Sequence, residues 1–186
     1  MKTLPSNRTL WDIDPGPDCP SVTGMVVEIG KNSSNRYGYD PHLRLSRLDR
    51  ALYSPMHFPG DYGFIPGTIA EDEEPMDVLV MVEQPSFPGC LNRVRPLGML
   101  DMLDESTYDH KILAVPERSP GYEQIQTLED VPPHVLTEVQ HFFEIYKEPE
   151  GKAAVMKGWQ NLDSARAAIR ESRRRYLDQH EAAGST

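Results

Sequence analysis

The sequence predicts a mainly β domain of the α+β class, a small closed or partly closed β-barrel followed by flanking C-terminal helices. Three observations predict it. Short apolar or alternating runs recur at hairpin spacing, turn residues punctuate the links between them, and the last third of the chain switches to an apolar period of three and four residues. The 186 residues suffice for one hydrophobic core with a short extra segment.

In chain order, residues 1–24 are rich in Pro, Asp, Ser and Gly (Asp14-Pro15-Gly16-Pro17-Asp18) and read as an extended N-terminal arm. A barrel-and-helix domain over 25–180 and a tail over 181–186 complete the organisation. Strand candidates are Gly24–Ile29, Arg36–Asp40, Leu43–Leu52, Val78–Val82, Arg93–Met102 and Lys111–Pro116. Their links carry Asn32-Ser33-Ser34-Asn35, Phe58-Pro59-Gly60-Asp61, Phe87-Pro88-Gly89 and Asp104-Glu105-Ser106-Thr107. Such punctuation suits a barrel of short strands. Pro132-Pro133 then opens an amphipathic helix with Val135, Leu136, Val139, Phe142, Phe143 and Tyr146 on one stripe. A second helix starts near Asp163, a candidate N-cap, with Ala165, Ala168, Ile169 and Tyr176 as its apolar stripe. Its Arg170, Arg173, Arg174 and Arg175 read as a solvated face.

Composition narrows the partners. A net charge of −10 disfavours nucleic acid, whose phosphates reward excess Lys and Arg. No window approaches the ~18 apolar residues that span a bilayer, and the first residues lack the apolar core of a secretory signal. Cys19 and Cys90 form no CxxC pair, so a reducing cytoplasm is the expected compartment.

The densest chemical signal is Glu71-Asp72-Glu73-Glu74-Pro75-Met76-Asp77-Val78-Leu79-Val80, with five carboxylates in seven residues ahead of an apolar strand. Like charges this close need full solvation or bound cations. Asp77 is anchored by the strand it opens, and Pro75 stiffens the approach. Asp72 and Asp77 are thereby hard oxygen donors of the kind Mg²⁺ or Mn²⁺ prefers, although a solvated acidic turn would read the same way.

Three further segments carry candidate chemistry. Asp101, Asp104, Glu105 and Asp109 form a second acidic cluster, and Asp109 faces the same side of a strand as Lys111. Tyr62 lies between turns dense in Pro and Gly that would fix its hydroxyl. Lys147 follows Phe143 by four residues and shares its helix face with Tyr146. It could snorkel or reach a phosphate over the barrel mouth.

Taken in order, these segments resemble the family I soluble inorganic pyrophosphatases. The acidic run into Met76–Val80, then Pro88-Gly89, Asp104-Glu105, Asp109-His110-Lys111 and His141-Phe142-Phe143-Glu144-Ile145-Tyr146-Lys147 form a specific series, and the likeness runs from about Val27 to Tyr176. The resemblance implies a five-stranded OB-like closed barrel and a Mg²⁺-dependent hydrolase, with Mn²⁺ or another divalent cation as an alternative. Its reaction would split pyrophosphate into two phosphates by direct in-line attack of a metal-activated water. By position, Asp72, Asp77 and Asp109 look like ligands of the tighter metal, with Asp77 bridging to a second. Asp104 and Asp109 resemble ligands of a metal that arrives with substrate, and Glu28 matches a glutamate tied to an additional metal. Arg36, Arg50, Lys111, Tyr146 and Lys147 match phosphate-binding residues. Tyr62 matches the tyrosine beside the nucleophilic water, and Glu74 stands where a carboxylate accepts that water's proton. The resemblance further implies a homo-oligomer, a hexamer or alternatively a dimer, with no membrane or nucleic-acid partner.

Four positions depart from the family pattern. Glu74 replaces an aspartate, Gly38 a glutamate, Arg36 a lysine and Phe58 a tyrosine. Two readings compete with an enzyme: a metal- and phosphate-binding protein impaired in turnover by Glu74 and Gly38, and an OB-fold nucleic-acid binder, which an acidic barrel mouth disfavours.

Overall fold

Strands that are apolar on both faces need cover on both sides, and this chain provides it by closing a ring and laying helices on it. The computed structural model describes residues 8–53, 55–104, 107–147, 151 and 154–184. Strand β1 (Thr23–Ile29) pairs with β4 (Asp61–Phe64), β4 with β5 (Asp77–Val80), β5 with β8 (Lys111–Pro116), β8 with β6 (Leu91–Asp104), and β6 returns to β1. The expected five-stranded closed barrel is thus formed. Every pairing in the ring is antiparallel except that of β5 with β8, where Asp77 sits opposite Lys111. Strand β7 (Thr107–Tyr108) and strand β9 (Ala154–Gln160) extend β6, and β2 (Asn35–Asp40) pairs with β3 (Leu45–Ala51) as a separate hairpin.

Alternation along the strands splits the core into two large clusters, beside a small third one of Val26, Tyr39 and Phe64. Val78 and Val80 of β5 join Ile112 and Ala114 of β8 in one, while Leu79, Leu113 and Val115 point to the other. Helix α1 (Pro133–Ile145) buries Val139, Phe142 and Phe143 in the second cluster, and α2 (Leu162–Gly184) buries Ala165 and Ile169 in the first. Both helices lie where the sequence puts them, with one local correction. The Ser164 amide donates to Asn161 Oδ1 at 3.0 Å, so Asn161 and not Asp163 caps α2.

Three strands escape the sequence reading. Strand β4 is dense in turn-forming residues, yet Gly63 is there because β1 passes close: a Cβ would come within 2.0 Å of the Val26 carbonyl. Strand β7 is two residues long, and β9 is half-exposed with Gly158 at φ +103. The segment 8–22 is an ordered lead-in with a short 3₁₀ turn, Leu10–Asp12. Arg173 of α2 reaches it through Asp14 at 2.9 Å, while Arg174 and Arg175 pair with Glu171 of their own helix.

Candidate active site

Two bulges and one parallel pair build the site. In β1 the register slips between Val27 and Ile29, so Glu28 is the extra residue and turns out of the ladder. Its Oε1 accepts a hydrogen bond from the Tyr39 amide at 2.7 Å, which ties the β2–β3 hairpin to the barrel. The hairpin slips in the same way at Asp49, between the pairs Arg36–Arg50 and Tyr37–Leu48. Asp49 thereby touches both cations: its Oδ2 lies 3.7 Å from Arg36 Nε and forms an ion pair with Arg50. Bulges thus aim two of the site's acids.

The parallel pair supplies the centre. Asp77 and Lys111 are direct neighbours across β5 and β8, and the Lys111 ammonium pairs with the Asp77 carboxylate and, at 2.5 Å, with Asp109 Oδ1. The Tyr62 hydroxyl donates to Asp77 Oδ2 at 2.6 Å. Beneath the ammonium lie the rings of Tyr62 and Phe143, with centroids at 5.8 and 5.9 Å. Burial alone would lower the Lys111 ammonium, but Asp77, followed by Tyr62 and Asp109, outweighs it and holds the ammonium well above its ordinary range. Burial, reinforced by Asp77, pushes the Tyr62 phenol up, so Tyr62 stays a donor to Asp77.

The acidic loop is ordered. The Ala70 amide donates to the Glu74 carbonyl at 2.7 Å, the Met76 amide donates to Thr68 Oγ1 at 2.9 Å, and Glu73 takes a left-handed φ of +69. That turn sorts the five carboxylates. Glu71 goes to Arg175 at 3.8 Å, and Glu73 lines a groove beside α2. Glu74 and Asp77 line a cavity of about 200 Å³ together with Glu28, Arg36, Asp49 and Tyr62. Asp72 stays on the exposed loop, its Oδ1 accepting from the Glu74 amide at 3.1 Å.

Charge crowding is the site's dominant property. Burial, then the proximity of Asp77 and Glu74, pushes Glu28 up to about 7 despite the Tyr39 amide. Desolvation by the surrounding loop raises Asp72, with Asp77 and Asp109 adding to it against the Glu74 amide. Glu74 is raised likewise, by desolvation and then by Asp72 and Asp77. Three carboxyl groups resist ionisation around two, Asp77 and Asp109, that are salt-bridged to Lys111. Among the described residues no three His, Cys, Asp or Glu groups stand close enough to make a ready metal cage. The donors are nonetheless hard oxygens whose mutual repulsion a divalent cation would relieve, so the set fits Mg²⁺ or Mn²⁺ in chemistry.

Two further expected residues, Tyr146 and Lys147, directly follow α1. Tyr146 closes α1, stacked on Phe142 at 5.2 Å and edge-on to Phe143 at 5.9 Å. Lys147 Nζ lies 5.4 Å from the Tyr146 ring centroid. Arg36 would be lowered by burial, but Tyr146, Tyr62, Asp49 and Asp77 together raise it. Asp104 ends β6 with its backbone paired to Thr107 and Ala154, and its side chain lies outside the described residues, as does Glu105. Asp101 is not part of the centre, since its Oδ1 lies 2.5 Å from His110 Nδ1. Sequence reasoning missed Asp49, Arg47, Asp40 and Trp11, all of which line the cavity. Asp49's only signal was its place between Leu48 and Arg50, and a bulge cannot be read from that. Gly38 also lines the cavity, and a Cβ there would meet nothing within 4 Å.

Known proteins share the sequence and fold of this chain. The family profile described as "Inorganic pyrophosphatase" matches residues 25–177. The inorganic pyrophosphatase of Methanosarcina acetivorans is 47% identical over 159 residues, covering 86% of this chain and 95% of that protein. That of Nostoc sp. is 43% identical over 157 residues, covering 84% and 93%. Among solved structures, the inorganic pyrophosphatase of Thermus thermophilus superposes with a TM-score of 0.88 at 40% identity, over 91% of this chain and 99% of that one.

Proposed function

From the premise that the chain belongs to the family I soluble inorganic pyrophosphatases and is an inorganic diphosphatase, we propose that it hydrolyses pyrophosphate to two phosphates at the centre formed by Asp77, Lys111 and Tyr62. The observation that carries this is the Asp77–Lys111–Asp109 cluster, set beside a cavity that also presents Arg36 and Glu74. Anionic donors and phosphate-binding cations stand together there, as hydrolysis of a multiply charged anhydride requires.

Asp72, Asp77 and Asp109 would hold the metal, with Asp104 and Glu28 serving further ions. Bound Mg²⁺ would neutralise the substrate's charge and make water a better nucleophile near neutral pH. The chain's own groups do the rest. Tyr62 holds the Asp77 carboxylate in one orientation through its 2.6 Å hydrogen bond. Glu74, kept basic by desolvation and then by Asp72 and Asp77, takes the proton of the water that attacks phosphorus in line. Arg36 and Arg50, fixed as a pair by Asp49, bind phosphate together with Lys111, Tyr146 and Lys147, and no covalent phosphoenzyme is required.

Among the described residues no helix is long and apolar enough to cross a membrane. A cytoplasmic homo-oligomer, a hexamer by preference, completes the reading. The exposed Leu45, Leu48 and Val155, at 64%, 54% and 54%, suit subunit packing.

The test is phosphate release from pyrophosphate with Mg²⁺, with Mn²⁺ and with chelator, using Asp77→Asn as control. Metal-dependent release that falls at least about a hundredfold in the variant is expected. Unchanged release by Asp77→Asn would place the chemistry elsewhere. Retained pyrophosphate binding without turnover at any metal would favour the binding-protein reading, with Glu74 and Gly38 as its cause.

A further inference from the structure

Trp11 belongs to the lead-in before the barrel, yet it reaches the active-site cavity. The lead-in is pinned along its length. The Gly67 amide donates to the Trp11 carbonyl at 2.6 Å, and the Leu10 amide donates to Tyr39 Oη at 3.2 Å. Tyr176 Oη donates to Asp12 Oδ1 at 2.9 Å. The Trp11 side chain packs against the buried Val26, Tyr39 and Phe64. On one side Trp11 lines the cavity of about 200 Å³ that holds Glu28, Arg36 and Asp77. On the other it lines a groove of about 660 Å³ with His42, Arg44 and His180. Trp11 and Pro75 are the residues common to both spaces, so they form the partition between them.

We infer that Trp11 is a specificity-determining residue: its indole closes the phosphate cavity on the groove side and excludes phosphoanhydrides that carry an organic group beyond the reacting phosphates. The inference rests on the cavity being part of the pyrophosphate site. Size supports it, because a cavity of about 200 Å³ falls below the roughly 300–1,000 Å³ that hold an organic ligand of ordinary size. Removing the indole would join the cavity to the groove, whose about 660 Å³ lies within that range. Pro75 is buried and bounds the opening from the loop side, so the indole is the part of the partition that can be cut back without disturbing the acidic turn.

The experiment compares wild type, Trp11→Ala and Trp11→Phe on pyrophosphate and on ATP with Mg²⁺. In parallel, calorimetry measures binding of imidodiphosphate and adenylyl imidodiphosphate. The expected result for Trp11→Ala is a rise of at least about tenfold in kcat/KM for ATP relative to pyrophosphate, with a matching change in the binding ratio. Trp11→Phe, which keeps a ring in place, should stay near wild type. Ratios for Trp11→Ala within about twofold of wild type, in a protein that melts as wild type does, would overturn the inference. Should the alanine variant not fold, Trp11→Leu replaces it: an intermediate ratio supports the partition and a wild-type ratio refutes it. If wild type releases no phosphate from pyrophosphate, the functional reading fails, and the binding ratios alone still decide for or against the role of Trp11.

Discussion

Glu28→Gln tests the electrostatics of the site without relying on turnover. The raised value of Glu28, about 7 against an ordinary 4.5, corresponds to about 3 kcal/mol at about 1.4 kcal/mol per tenfold change in proton affinity. Its sign follows from where protons bind. Below 4.5 the carboxyl is protonated in the folded and unfolded chains alike, and stability is intact. Between 4.5 and about 7 the unfolded chain releases its proton while the folded chain keeps it, so stability falls as pH rises. Above that window both are ionised and the loss is complete. Glutamine preserves the acceptor for the Tyr39 amide and cannot ionise, so it removes the penalty alone. In chelator, near pH 4.5, variant and wild type should agree within about 0.5 kcal/mol. Near pH 8.5 the variant should be more stable by about 3 kcal/mol, a rise of roughly 6–12 °C in Tm for a chain of this size. Thermal melts across that range read the difference directly. A difference between variant and wild type that does not change with pH would refute the charge-crowding account of Glu28.

Three other substitutions probe separate parts of the site. Tyr62→Phe removes the hydrogen bond to Asp77 and should cost about 1.5–3 kcal/mol of transition-state stabilisation, seen as a fall of roughly ten- to a hundredfold in kcat with KM little changed; an unaltered kcat would end its positioning role. Glu74→Asp withdraws the carboxylate by about one bond length and should raise kcat severalfold if the extra methylene misplaces the proton acceptor, whereas a fall would show that this chain has adapted to glutamate. Gly38→Glu meets no steric obstacle but adds a carboxylate to a crowded cavity, so in chelator Tm should fall by the equivalent of about 1 kcal/mol or less; calorimetry should show tighter Mg²⁺ binding, and weaker binding would count against Gly38 as the loosening element.

What the sequence discloses depends on how local the determining contacts are. The acidic run and the strand after it are legible because one short segment contains both the charges and the apolar residues that anchor them. Helix α1 is legible because Val139, Phe142 and Phe143 repeat with the helical period. Strand β4 is not, because the purpose of Gly63 is a backbone 37 residues away, at Val26. Asp49 and Trp11 elude the reading for the same reason. A bulge aims the first, and the second becomes part of the site only once the lead-in is pinned to Gly67, Tyr39 and Tyr176. Asp77 and Lys111 are each legible as chemistry, but that they share a register follows from β5 and β8 being adjacent and parallel.

That parallel pairing joins the assembly of the site to the folding of the chain. The two strands are 34 residues apart at Asp77 and Lys111, and no hairpin can bring them together, since parallel neighbours require a long crossover. Here β6 makes that crossover, and the same strand closes the ring against β1. The charge cluster therefore does not exist in a chain whose β5 and β8 have not yet paired. Partly folded species would gain neither affinity for cations nor a grip on phosphate, and ligand binding would stabilise only the closed barrel. The Asp77–Lys111 pair and the sheet that carries it should therefore be lost in one transition.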